Sequence, residues 1–212
     1  MPLYYDKIVD SDCRICIWEI AETKEELLTA SHISEDELKE VENKTVKRQL
    51  EWITIRLLLK NLLKTSEKIL LYYDAYGKPH LNGVEKHISI SHTKQFVAVI
   101  VNDNKKVGLD IEITAPRIEK IKHKFLSKKE NDWAKGNDSL EKLFIIWGAK
   151  ESAFKIYAEG GIEFKEMLEV KPFDYSEKGE TFVTLKKNII TCAYPVWWEK
   201  IGELMMVYAL ES

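Results

Sequence analysis

Polar and apolar residues alternate along 13–20, which predicts a strand near the start of the chain. Ser34 with Glu37 three residues on is a capping-box signal that opens a helix. A longer helix is predicted over 46–64, where Leu50, Ile53, Leu57 and Leu58 recur at helical spacing and the last turn is rich in lysine. Short strands follow at 69–73, 88–91 and 96–102, and the turn-forming run Asp74 to Pro79 predicts an ordered loop. Asn102-Asp103-Asn104 reads as a turn before another strand at 106–113, so these two strands are expected to form a hairpin. The clearest helix is 140–159, with Asp138 and Glu141 as its cap and Gly160-Gly161 as its stop. Strands near 181–185, 189–197 and 204–210 close the chain. The pattern is that of an α+β protein with mainly antiparallel pairing.

Composition narrows the function classes. The chain has 212 residues, 45% hydrophobic and 32% charged, enough to bury a core without disulfides or structural metals. Its net charge of −3 argues against a general nucleic-acid binder. No apolar run approaches the length of a membrane span, and the first residues lack the plan of a secretion signal, so a cytoplasmic protein is expected. Cys13 and Cys16 have the spacing of a redox or zinc half-site, but no second Cys/His pair accompanies them and they lie in the first predicted strand. Two reduced, strand-embedded thiols are the expectation.

The chemistry begins in the strand Val107 to Ile113. Gly108, Asp110 and Glu112 share one face, with the two carboxylate α-carbons about 7 Å apart. A half-exposed strand would show the same pattern, so the segment alone leaves both readings open. On the later helix, Leu140, Leu143, Phe144, Trp147, Phe154 and Ala158 form an apolar stripe, and Glu151 falls about 20° from its ends. A carboxylate on a core face must be protonated, paired or metal-bound. Pairing with Lys155 at i, i+4 contributes only about 0.2–0.5 kcal/mol, too little to account for that placement. Asp110, Glu112 and Glu151 together suit Mg²⁺, which takes few carboxylates and binds substrate phosphates. Neither a Walker loop nor a Gly-x-Gly-x-x-Gly run is present.

Asp110 within Gly108-Leu109-Asp110-Ile111-Glu112, and Trp147-Gly148-Ala149-Lys150-Glu151-Ser152-Ala153-Phe154-Lys155 about forty residues on, resemble the paired signatures of the phosphopantetheinyl transferases. The likeness is to the larger single-chain type that activates peptide and polyketide synthetases. Tyr76-Gly77-Lys78-Pro79 and Ser89-Ile90-Ser91-His92 look like that type's coenzyme A motifs, and Phe125-Leu126-Ser127 with Glu130 has the same family look. The resemblance covers roughly residues 48 to 161. Gly148 departs from it, standing where the family usually has a small hydroxyl residue or cysteine.

The resemblance implies two similar α+β halves, 1–104 with the coenzyme A motifs and 105–212 with the magnesium and catalytic motifs, and a ligand cleft between them. It implies transfer of 4′-phosphopantetheine from coenzyme A to a serine of an apo acyl or peptidyl carrier protein, with release of 3′,5′-ADP. Asp110, Glu112 and Glu151 would hold Mg²⁺, and Glu151 would act as general base. His92 and Lys155 would meet the pyrophosphate, Lys78 the 3′-phosphate, with Ser91 and Arg48 as further coenzyme A contacts. Arg48, Arg56 and Lys60 could equally be the solvated side of a helix. The basic run Lys120 to Lys124, continued by Lys128 and Lys129, is a candidate dock for an acidic carrier, or simply a solvated face. No nucleic acid or membrane partner is expected, and a monomer would suffice. The rival readings are a non-catalytic coenzyme A- or nucleotide-binding module, a metal-dependent phosphohydrolase, and a zinc or redox role for the cysteines.

Overall fold

A computed structural model describes residues 3–212, the Glu35 side chain excepted. It is an α+β chain of antiparallel sheets in two compact units. The first unit runs to Tyr73 and resumes at Pro79–Asn104; the second is Asp74–Lys78 with Lys105–Ser212.

The first unit holds β1 (Leu3–Ile8), β2 (Cys13–Glu19), β5 (His87–Thr93) and β6 (Phe96–Asn102) in the order β1-β2-β6-β5. A separate two-stranded sheet pairs β3 (Leu71–Tyr73) with β4 (Pro79–Leu81). Two short helices, α1 (Lys24–Ser31) and α2 (Glu35–Leu38), precede α3 (Val46–Leu63). The Ser34–Glu37 capping box forms as expected, although the helix it opens is a single turn. α3 contributes Ile53, Leu57, Leu58 and Leu59 to a core shared with Val97, Val99 and Ile88 of the sheet. Cys13 and Cys16 are buried in β2, where burial pushes their thiols up to about 11 and about 12 and keeps them protonated.

Arg56 and Lys60 are not on a solvated face. Both are buried, Arg56 lying 3.3 Å over the Trp52 ring and 3.2 Å from Glu40 Oε2. Lys60 Nζ donates to Ser31 O at 3.0 Å, where it meets the carbonyl end of α1. Long cationic side chains can line a core when a ring or a helix end takes the charge, which helical spacing alone does not reveal.

In the second unit β7 (Val107–Ile113), β11 (Leu204–Leu210), β10 (Ile190–Ile201), β9 (Lys178–Lys187) and β8 (Leu168–Val170) form one sheet in that order. The expected hairpin across Asn102–Lys106 does not exist. β6 pairs with β2 and β5, whereas β7 pairs with β11. Turn residues mark a reversal but say nothing about which strand is met afterwards, and β7 takes its partner from the far end of the chain.

The long helix α5 (Ser139–Tyr157) lies across β7 and β11, and two glycines allow the approach. A Cβ at Gly108 would fall 1.9 Å from Ser152 O, and one at Gly148 2.6 Å from Val207 Cγ2. Ser152 Oγ, fully buried, donates to Val207 O at 3.1 Å. Both ends of α5 differ from expectation. Asp138 occupies the cap position but its side chain makes no capping bond, its backbone being at φ −94°, ψ 17°. The helix stops at Ala158 in the left-handed conformation, φ 53°, before the glycines are reached. α4 (Lys128–Trp133) and α6 (Phe164–Met167) complete the unit.

Candidate active site

α5 is buried around most of its circumference rather than along the stripe that the helical wheel suggests. Ile145, Ile146, Ala149, Ala153 and Ile156 are inside, whereas Trp147, Glu151 and Phe154 are half-buried. The wheel therefore misplaces Glu151, which sits at the edge of the covered surface and not on the core face. The error has a physical cause: a helix packed on a sheet and covered by loops buries all sides, so no single stripe defines its inside.

β7 brings Asp110 and Glu112 to the face that α5 covers, because each shares that face with Gly108. Lys155 Nζ donates to Leu109 O at 2.6 Å and to Asp110 Oδ1 at 3.2 Å. Arg117, from the 3₁₀ turn Pro116–Lys120, donates to Glu112 Oε2 at 2.8 Å. Glu151 is pushed up to about 7, first by burial, then by the Asp110 charge and, more weakly, by Glu112, with Lys155 opposing. Three carboxylates and one lysine thus act on one another, and the ion pair of Lys155 is with Asp110.

Among the described residues no group of three or more His, Cys, Asp or Glu side chains stands ready-made around a metal position. The donor set nonetheless suits a hard divalent cation, since every ligand offered is a carboxylate oxygen and Glu151 sits under the repulsion of the other two. Added positive charge would relieve that repulsion.

The next residue along α5 does something else. Lys150 is wholly buried, and its ammonium donates to Phe125 O (2.6 Å), Glu130 Oε2 (2.7 Å) and Phe164 O (3.0 Å). Glu130, also fully buried, accepts from the backbone N–H of Ser127 at 2.8 Å and of Val170 at 2.9 Å. The pair ties α5 to the start of α4, to α6 and to β8. Helical spacing, which sets Lys150 at an edge of the apolar stripe, does not reveal this role. The signal available was the unbroken apolar run from Phe144 to Ala149, which marks a helix buried on all sides.

Lys78 lies in a loop built around Asp74. Asp74 Oδ1 accepts from the N–H groups of Tyr76 and Lys78 at 2.9 and 3.0 Å, and Gly77 takes φ 82°. Lys78 Nζ donates to Ile156 O at 3.3 Å near the end of α5, and burial, with Lys106 adding, holds it below the usual lysine range.

In the first unit His92 and Arg48 meet. β5 places His92 on the face that α3 covers, and Thr45 caps α3 by accepting from the Arg48 N–H. Arg48 Nη1 lies 3.0 Å from His92 Nε2 and donates to Glu51 Oε2 at 2.8 Å. Glu51 was not anticipated from sequence; it occupies an apolar helix where a carboxylate has no periodic signature. Ser91 is buried and, one residue from exposed His92, has its side chain on the opposite face of β5.

Comparison with known proteins bears on the second unit. The sequence model of the 4′-phosphopantetheinyl transferase superfamily matches residues 106–206. This part of the chain is similar to the phosphopantetheinyl transferase superfamily. Two relatives agree. The 4′-phosphopantetheinyl transferase Sfp of Bacillus subtilis (strain 168) is 35% identical over 89 residues, and a 4′-phosphopantetheinyl transferase of Bacillus subtilis is 34% identical over 89. Each match covers 40% of this chain and 39% of the relative, so the chain spans about two fifths of the length of the curated relatives it matches. Asp110, Glu112, Glu151 and Lys155 all lie inside the region matched to the superfamily. Among the described residues, no helix is long and apolar enough to cross a membrane.

Proposed function

We propose that this protein is a phosphopantetheinyl transferase, which transfers 4′-phosphopantetheine from coenzyme A to a serine hydroxyl of an apo acyl or peptidyl carrier protein. The observation that carries the reading is the group of carboxylates acting on Glu151 beside Lys155, within the family-matched region. The serine oxygen attacks the β-phosphorus of the coenzyme A pyrophosphate, the phosphoanhydride bond to the adenosine side breaks, and 3′,5′-ADP leaves. The serine proton goes to Glu151, the carboxylate that burial and the Asp110 charge make more basic than an ordinary glutamate.

Asp110, Glu112 and Glu151 are the residues we assign to Mg²⁺, which when bound supplies charge neutralisation at the pyrophosphate. Phosphoryl transfer asks chiefly for positioning and charge stabilisation, and this is what the remaining residues offer. Lys155, fixed by Leu109 O and Asp110, presents its ammonium to the pyrophosphate. His92 is assigned to the same group, with Arg48 beside it and Ser91 supporting the strand from its other face. Lys78 is assigned to the 3′-phosphate; its half-buried ammonium has a carbonyl partner that a phosphate could exchange. Each unit joins an antiparallel sheet to one long helix, which supports the reading of two similar halves.

The test is the intact mass of an apo carrier protein after incubation with this protein, coenzyme A and Mg²⁺. A gain of roughly 340 Da, one phosphopantetheine, is expected, absent with chelator and reduced about 10²–10⁴-fold in rate by Glu151→Ala. A Mg²⁺-dependent rise in melting temperature that Glu151→Ala abolishes would report the metal independently of turnover. No mass gain on fatty-acid and peptide carriers, despite measurable coenzyme A binding, would favour a binding module.

A further inference from the structure

We infer that Glu51 is a positioning residue that holds Arg48 and His92 together and fixes His92 as the Nδ1–H tautomer; the inference rests on assigning those two to a coenzyme A phosphate. The geometry is specific. Only 4% of the Glu51 side chain is exposed, against 58% for Arg48 and 37% for His92. Its Oε2 accepts from Arg48 Nη1 at 2.8 Å. Its Oε1 accepts no hydrogen bond, and lies 3.7 Å from His92 Nδ1 and 3.8 Å from Lys47 Nζ. A carboxylate buried so deeply is costly unless cations attend it, and Arg48 and Lys47 do, with the His92 ring beside them.

The tautomer follows from what each group can give. Guanidinium nitrogens only donate, so the His92 Nε2 that lies 3.0 Å from Arg48 Nη1 must accept. The ring of a neutral imidazole then carries its proton on Nδ1, the nitrogen that faces Glu51 Oε1. In this arrangement the histidine acts as an acceptor toward the arginine. When an anionic ligand draws Arg48 away, Nε2 is released, takes a proton from solvent and becomes a donor to the phosphate oxygen. Glu51 then lies against the imidazolium and balances its charge. Without Glu51 the Arg48 and His92 side chains would swing in solvent, and the ligand would have to order them.

The test has two readouts. Long-range ¹H–¹⁵N correlation of the unliganded protein at alkaline pH reports tautomers, and His92→Gln identifies the signal among the five histidines. Wild-type His92 is expected as Nδ1–H. Glu51→Gln and, separately, the exposed Arg48→Met should shift it toward Nε2–H. In the carrier assay Glu51→Gln should raise KM for coenzyme A about tenfold, the loss of a charge-assisted contact, with kcat within about twofold and partial recovery in Glu51→Asp. An Nε2–H wild-type histidine, or an unchanged KM in Glu51→Gln, would overturn the inference. A wild-type protein that modifies no carrier sinks the transferase reading instead. The tautomer test then still stands, with the calorimetric Kd of coenzyme A replacing KM.

Discussion

Neighbouring residues on α5 hold opposite kinds of charge. Lys150 and Glu130 form a wholly buried pair in which every ammonium proton has an acceptor and both carboxylate oxygens are bonded. One residue on, Glu151 is half-buried and sits under the repulsion of Asp110 and Glu112. The first group is satisfied from within the protein and fastens four elements together. In the second, Lys155 and Arg117 attend Asp110 and Glu112, yet Glu151 still lies under the repulsion of both carboxylates. A buried charge with all its partners is architecture, and a crowded one at the edge of the core is a place for chemistry.

That contrast can be broken most severely at Lys150. Lys150→Met leaves Glu130 buried and unpaired and should cost about 3–5 kcal/mol in urea unfolding, whereas the double change with Glu130→Met should recover most of that loss. Equal stability of the single and double variants would show that the pair does not act as a unit.

The opposite sign is expected at Glu151. Its carboxyl is raised from 4.5 to about 7, so the native state holds the proton more tightly than the unfolded chain does. Its contribution is favourable below about pH 4.5 and is lost as pH rises through about 7. Glu151→Gln should therefore be more stable than wild type at pH 8, by on the order of 1 kcal/mol, and no more stable at pH 4. A uniform loss at both pH values would place Glu151 among the architectural charges.

The smallest effect belongs to the basic run that Lys150 helps to anchor. Lys120, Lys124 and Lys128 are exposed, while Lys122 already pairs with Glu119 at 2.7 Å. Lys122→Glu with Lys124→Glu should raise KM for an acidic carrier a few-fold at low salt, with KM for coenzyme A unchanged. Unaltered kinetics would leave the run a solvated face.

Local pattern carried a good deal of this. The span of α3 was legible to within a residue, because apolar residues at helical spacing end at a lysine-rich turn. The two carboxylates on β7 were legible because strand alternation puts residues 110 and 112 on one side. What escaped was partner choice. No turn signal says that β7 joins β11, and no wheel says that Lys150 is wholly buried while Glu151 is only half-buried. Glu51 escaped because its meaning lies in His92, more than forty positions away.

By itself the sequence determined the α+β class, the strand and helix that carry Asp110, Glu112, Glu151 and Lys155, and their likeness to the phosphopantetheinyl transferases. These rest on short-range periodicity and on motifs read along the chain. Tertiary structure alone decided which charges are satisfied, which glycines let α5 approach its sheet, and that Lys155 pairs with Asp110 rather than Glu151. Burial and pairing depend on atoms brought together across long stretches of chain, and it is these that turn a list of charged residues into a scaffold and a site.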